Sequence, residues 1–261
     1  VMTIEPDDGG RIAQAEIIVE VPGQPSGLGW LPDGRLLLVS MTDRRLLRLD
    51  ANGLVEAADL RALASFHCND MVVDGQGRAY VGNFGYDVSD PSAMAKYADM
   101  VLVAPDGSAR VTAEGLAFPN GTVITPDGST LIVAETFAAR LTAFDIAPNG
   151  SLSGRRIWAQ FDERGLERHL DKDRVTPDGI CMDARGALWV ASPFGSSDVL
   201  RVLEGGAITE RVQVDNQPFA VMLGGPERRT LFVCASVHGE DPRGRGRIET
   251  VRVDVPGAGL P

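Results

Sequence analysis

The feature that most limits how this chain can fold is a unit that recurs along it. The unit is a short apolar run, a tight turn, a second run rich in β-branched residues, and a third run that alternates apolar and polar residues. Residues 118–146 show it most fully: Asn120-Gly121 opens the unit, Pro126-Asp127-Gly128 reverses the chain, residues 130–134 run to Glu135, and residues 141–146 follow. Glycine tolerates positive φ and proline presets the entry to a turn, so the unit reads as an antiparallel meander. Further copies start at Ser26, Asn69, Asp178 and Phe219, which sets the starts 43, 51, 58 and 41 residues apart. A period of roughly 40–50 residues with several strands per unit predicts a β-propeller. One blade cannot bury both faces of its sheet, whereas blades packed radially can. A β-sandwich also repeats strands and turns, but it does not account for the shared register.

Five full copies are visible. The first 21 residues add two strand candidates, at 11–12 and 17–21, around the turn at 7–10. They resemble the outer strands of a further blade that lacks its inner ones. The expectation is therefore an all-β, six-bladed propeller whose first blade is incomplete at the N-terminus, forming a single domain over residues 1–261. No Pro/Gly/Ser linker or composition break divides the chain.

Composition narrows the function. A net charge of −11 argues against nucleic acid or an anionic membrane as partner and is compatible with a bound cation. No apolar run approaches the roughly 18 residues of a membrane span. Three cysteines without close spacing suit a reducing compartment, which points to the cytoplasm, and no zinc pattern is present. The N-terminal stretch lacks the basic and apolar segments of a signal peptide.

Propeller geometry turns the register into a site. Each innermost strand starts at one mouth of the central channel, and the Asp-Gly turn reverses the chain at the other. Ser26, Asn69, Asn120, Asp178 and Phe219 then form a ring at one mouth. The ends of the second strands, Ser40, Asn83, Glu135, Ser192 and Ala235, rise at the same end. So do the long connections 84–99, 161–177, 193–198 and 236–247, which marks this face as the functional one. Two Asn amides and one Asp carboxylate in the ring make an oxygen-donor set suited to a hard cation such as Ca²⁺. Without His or Cys at ring positions, zinc and iron are disfavoured. Asn-Gly and Asp-Gly are also ordinary turn dipeptides, but Asn69, Asn120 and Asp178 share one register while Asp33-Gly34, Asp106-Gly107 and Asp127-Gly128 fall in others.

Three segments carry a resemblance: Asn69-Asp70 followed by residues 73–78, then Phe118-Pro119-Asn120-Gly121, and most specifically residues 177–191, PDGICMDARGALWVA. In these the chain resembles the SMP-30/gluconolactonase/luciferin-regenerating-enzyme family, from about residue 21 onward. The resemblance implies a six-bladed propeller and a metal-dependent lactonase or esterase, often using Ca²⁺. It implies metal ligands at Asn120 and Asp178, a residue on the substrate side of the metal at Asn69, and a substrate contact at His67. The family has a further Glu ligand, in an E-G-P-x-W motif. Here Ser26-Gly27-Leu28-Gly29-Trp30 imitates that motif without the Glu, so the expectation is that this Glu lies before Val1.

The function expected is hydrolysis of small cyclic esters, gluconolactonase-like, dependent on Ca²⁺ or another divalent cation. Asp178 and Asn69 are the catalytic candidates, Asn120 and Asp178 the metal ligands, and His67, Asn69 and Glu135 the substrate contacts. Glu135 also reads as a supporting partner of the site or as an exposed strand end. His169 and His238 read as loop residues without a chemical role. The partner is a small-molecule lactone or ester, with oligomeric state open. The same site leaves open an aryl ester or organophosphate as substrate, and a noncatalytic propeller binding a ligand or protein is the rival from another class.

Overall fold

The computed structural model describes residues 1–6, 12–90, 92–164, 174–195, 197–237 and 246–259. His169, His238 and most of the connection 236–247 lie outside the described residues. A hairpin, β1 (Met2–Pro6) and β2 (Ile12–Ile17), forms a sheet of its own. Five blade sheets follow. The first is β3 (Pro25–Trp30), β4 (Leu36–Ser40), β5 (Arg45–Asp50) and β6 (Gly53–Asp59). The second is β7 (Cys68–Val73), β8 (Ala79–Asn83), β9 (Ala98–Val103) and β10 (Ala109–Leu116). The third is β11 (Pro119–Ile124), β12 (Thr130–Glu135), β13 (Arg140–Ile146) and β14 (Leu152–Gln160). The fourth is β15 (Ile180–Met182), β16 (Leu188–Ser192), β17 (Asp198–Val202) and β18 (Ile208–Gln213). The fifth has three strands, β19 (Gln217–Gly224), β20 (Thr230–Ser236) and β21 (Arg247–Arg252). The only helix among the described residues is a 3₁₀ turn, Thr136–Ala138.

The propeller class holds, and the blade count is corrected from six to five. The apolar alternation of the strands explains how the blades join. Successive residues of one strand enter different interblade layers. Ile132 and Ala134 pack toward Ile180, Leu188 and Val190 of the fourth blade, while Leu131 and Val133 pack toward Val72, Tyr80 and Leu102 of the second. Leu37 and Val39 meet Met71 and Val73 between blades one and two, and Trp189 and Ala191 meet Val221 and Val233 between blades four and five. Among the described residues there is no fifth such layer between blade five and blade one. There Leu28, Trp30 and Met222 are 39, 51 and 40% exposed. The N-terminal strands pair with each other instead of extending a blade, and a cavity of about 420 Å³ lies between them and the start of β3, lined by Val1, Met2, Ile17, Val19 and Pro25.

The two channel ends are built differently. At the far end the turns repeat one device. Gly34, Gly77, Gly128 and Gly186 have φ of 85, 76, 72 and 76°. Asp33, Asp74, Asp127 and Asp183 each accept a backbone N–H from two residues on. At the near mouth the inner strands are irregular. The β3–β4, β7–β8 and β11–β12 pairings skip between Pro25 and Leu28, Cys68 and Met71, and Pro119 and Thr122. Each skip is a bulge, and a bulge re-aims side chains that have no cross-strand partner. Asn69-Asp70 and Asn120-Gly121 fall inside these bulges.

Candidate active site at the channel mouth

The inner strands are drawn together by contacts between their backbones. Gly121 N donates to Asp178 O at 3.2 Å, and Gly179 N to Phe219 O at 2.9 Å. A Cβ on Gly121 would lie 2.5 Å from Asp178 O, and one on Gly179 2.6 Å from Ala220 Cα. Only glycine permits this approach, which is what the Asn-Gly and Asp-Gly dipeptides do here.

Asn69 and Asn120 are 7 and 6% exposed. Asn69 Nδ2 donates to Pro119 O at 3.1 Å, tying blade two to blade three. Asn120 Nδ2 donates to Thr136 Oγ1 at 3.2 Å, and Thr136 Oγ1 donates to Pro177 O at 2.7 Å. This relay runs from blade three to the residue before Asp178. It fixes both amide planes, and among the described residues no donor reaches either Oδ1.

Asp178 is half-buried at the channel mouth. Burial pushes its carboxyl well above the usual carboxylate range, the negative charge of Asp70 adds to the rise, and the Gly179 N–H and the Asn120 amide oppose it. Burial also pushes Asp70 up, to about 6. Asp70 belongs to blade two and Asp178 to blade four. With blade three between them, the two carboxylates sense each other across the channel. The ring therefore holds two carboxylates, which corrects the expectation that Asp178 stands alone. The signal for Asp70 was present in the sequence, as a carboxylate opening an otherwise apolar strand. A bulge there presents two consecutive residues, not one.

These residues fit a hard divalent cation. Two half-buried carboxylates, one of which raises the proton affinity of the other, are stabilised by any positive charge between them. Two fixed amide oxygens add neutral donors of the kind Ca²⁺ accepts. Among the described residues no group of three or more His, Cys, Asp or Glu side chains could by itself hold a metal ion, so the donor set here is two carboxylates and two amides, without the His or Cys that zinc or iron prefers. Such a cation would be held by Asp178, Asp70, Asn120 and Asn69, with water or substrate completing its shell.

Glu135 is placed elsewhere. Its carboxylate is fully buried and accepts from Ala117 N (2.7 Å), Arg140 Nε (2.8 Å), Thr142 Oγ1 (2.5 Å) and Arg155 (3.1 Å). Burial raises its pKa, but the Arg140 hydrogen bond and charge, with Thr142 and Ala117, outweigh it and leave the carboxyl below its ordinary value. Glu135 is a brace within blade three, neither an exposed strand end nor open to a substrate. Asn83 and Ser192 are likewise buried and hydrogen-bonded into the scaffold.

His67 is half-buried at the mouth and begins a row of rings. It stacks on Phe66, with centroids 4.1 Å apart, and tilts toward Phe84 at 6.1 Å. Phe84 stacks on Phe118 at 4.7 Å, and Phe118 lies 4.4 Å from Phe137. Phe118 has φ of 58°, a strained conformation for a bulky residue, immediately before Pro119 and Asn120.

The profile described as "SMP-30/Gluconolactonase/LRE-like region" matches residues 4–237. Regucalcin of Xenopus laevis is 26% identical over 176 residues, 66% of this chain and 56% of the relative. Human regucalcin is 25% identical over 182 residues, 67% of this chain and 56% of the relative. The chain thus spans little more than half the length of these curated relatives. Among solved structures, a calcium-binding protein, regucalcin, from Agrobacterium tumefaciens superposes with a TM-score of 0.73 at 22% identity, covering 97% of this chain and 82% of the other. A putative gluconolactonase superposes with a TM-score of 0.71 at 19% identity, covering 96 and 80%. The structural likenesses speak to the fold, and the profile match over most of the length to descent: the chain belongs to the SMP-30/gluconolactonase/LRE-like family.

Proposed function

We propose that this protein is a divalent-cation-dependent hydrolase of small cyclic esters, with Ca²⁺ as the cation and the near channel mouth as the active site. The observation that carries this reading is the Asp70–Asp178 pair, half-buried across the channel from one another beside two hydrogen-bonded amides. Family membership supports it, as does the name of the calcium-binding structural relative.

A bound cation there supplies Lewis-acid polarisation of the ester carbonyl and stabilisation of the charge that develops on its oxygen. Asp178 accepts the proton of the attacking water, for which a carboxyl with a raised pKa is a stronger base than an ordinary one. Asn120, held by Thr136, keeps the Asp178 carboxylate oriented. Asn69, held by Pro119 O, sets the substrate side of the site, with His67 half-buried above it at the rim. The backbone contacts of Gly121 and Gly179 hold these groups within one narrow ring.

Hydrolysis of a lactone panel by dialysed protein, with Ca²⁺ and with chelator, tests the proposal. The expected result is turnover that requires the cation and is lost in Asp178→Asn. Turnover indifferent to chelator and to Asp178→Asn would place the chemistry elsewhere, and no turnover of any ester would favour a ligand-binding propeller.

A further inference from the structure

Six phenylalanines come together at one end of the molecule from loops or strand starts that share no sequence neighbourhood. Phe66 precedes β7, Phe84 follows β8, Phe118 precedes β11, Phe137 follows β12, Phe194 follows β16 and Phe219 opens β19. Phe84, Phe118 and Phe137 form a continuous stack with centroid spacings of 4.7 and 4.4 Å, extended on one side by His67 and on the other by Tyr86, 6.3 Å from Phe137. Phe66, His67, Phe84, Phe118 and Phe137 are each only partly buried. A stack serving only as core would be covered, as Tyr80 and Trp189 are at 0 and 1% exposure.

The stack is joined to the carboxylate site by the chain itself. Phe118 is two residues from Asn120, Phe137 follows Thr136, which fixes Asn120, and His67 is two residues from Asn69. The left-handed backbone of Phe118 marks a place where surrounding structure imposes a costly conformation on a bulky residue, a pattern that clusters at ligand clamps. Its carbonyl accepts from Thr136 N at 3.2 Å, so the ring position and the Asn120 relay are set by the same turn.

We infer that the Phe84–Phe118–Phe137 stack is the subsite for an aromatic ring of the substrate, so that the esters hydrolysed here are aryl esters and ring-fused lactones, not polyhydroxylated sugar lactones. This rests on the hydrolase reading above. Aromatic faces bind a planar apolar ring by offset or edge contacts, whereas a sugar lactone presents hydroxyls that need hydrogen-bonding partners. Among the described residues along the wall from Phe66 to Phe137, His67 is the one polar ring. The reaction balances as ordinary hydrolysis. The water oxygen bonds to the acyl carbon, the acyl–oxygen bond breaks, and the proton taken by Asp178 passes to the departing phenol oxygen.

The test compares dihydrocoumarin, δ-valerolactone and δ-gluconolactone, all six-membered lactones, with Ca²⁺ present. KM is the readout for the first two because their leaving groups differ in intrinsic reactivity. The wild type should show a KM for dihydrocoumarin about tenfold below that for δ-valerolactone. Phe84→Leu, which stays apolar, should narrow that ratio by about three- to tenfold, the size expected for one aromatic contact. An unchanged ratio in Phe84→Leu, or a preference for δ-gluconolactone, overturns the subsite and leaves the hydrolase reading intact. If none of the lactones is hydrolysed, the hydrolase reading falls, and saturation-transfer NMR with hydrocinnamate still decides the subsite. Transfer to the phenyl protons that weakens in Phe84→Leu supports it, and no transfer in the wild type overturns it.

Discussion

The two ends of the channel use aspartate in opposite ways. At the turn end the four inner-turn aspartates each have a partner. Asp33 is held by Arg35, Asp74 by Arg78 at 2.6 Å, Asp127 by Thr125 and Ser129, and Asp183 by Arg201 at 2.6 Å. Side-chain hydrogen bonds, from Arg35 and Thr125 first, hold Asp33 and Asp127 below the usual carboxylate range. At the mouth, neither Asp70 nor Asp178 has a cationic partner among the described residues, and both are pushed up. A paired carboxylate stabilises the fold or is neutral to it. Two half-buried carboxylates brought close together cost stability until a positive charge arrives. The turn end is therefore scaffold, and the mouth is a destabilised site of the kind function requires.

The sharpest way to break this contrast is to neutralise one aspartate at each end. Asp178→Asn keeps size and one oxygen donor but removes charge and basicity. It should lower kcat by about 10²–10⁴, while Asp127→Asn leaves steady-state rates nearly intact. If saturating cation restores the full rate, Asp178 is a ligand and not the base. At the turn end the expected loss is in folding. Asp183→Ala strands the buried Arg201 guanidinium and should cost about 3–5 kcal/mol in denaturant unfolding, with activity of the folded fraction retained.

A smaller effect of opposite sign is expected at the mouth. In chelator at neutral pH, Asp70→Asn should stabilise the protein by about 1–2 kcal/mol. The pH dependence follows from the same shift. Burial pushes the Asp70 carboxyl up to about 6 in the fold, from an ordinary value of 3.8. Between those values the folded state binds more protons than the unfolded one, so wild-type stability in chelator should fall as pH rises from about 4 through 6. Asp70→Asn should remove part of that fall. A stability profile that rises over this window and is the same in both proteins would break the contrast between the two ends.

Much of this contrast was legible in the sequence, and the parts that were not share a cause. The common register of Asn69, Asn120 and Asp178 follows from strand period and turn chemistry, which are local. Asp70 was missed because regular alternation assigns one mouth-facing residue per strand, and the β7 bulge that breaks the alternation leaves no mark in composition. Glu135 was misread because its partner Arg155 comes from the outer strand β14, twenty residues away, and burial at a strand end depends on that distant arm. The aromatic stack escaped notice because its rings lie in separate loops. The sixth blade rests on strand candidates in the first 21 residues that resemble a blade's outer strands, whereas β1 and β2 satisfy their hydrogen bonds with each other.

The central claim is that the two unpaired carboxylates form a cation site. Calorimetric titration of Ca²⁺ into dialysed protein near pH 6, in two buffers of different ionisation enthalpy, tests it most directly. The account predicts one site whose occupation releases protons, because the cation displaces those held by Asp70 and Asp178. Affinity should drop at least about tenfold in Asp178→Asn, as expected for loss of a charged ligand, and be unchanged in Asp127→Asn. Binding without proton release, or binding equally strong in wild type and Asp178→Asn, would contradict it.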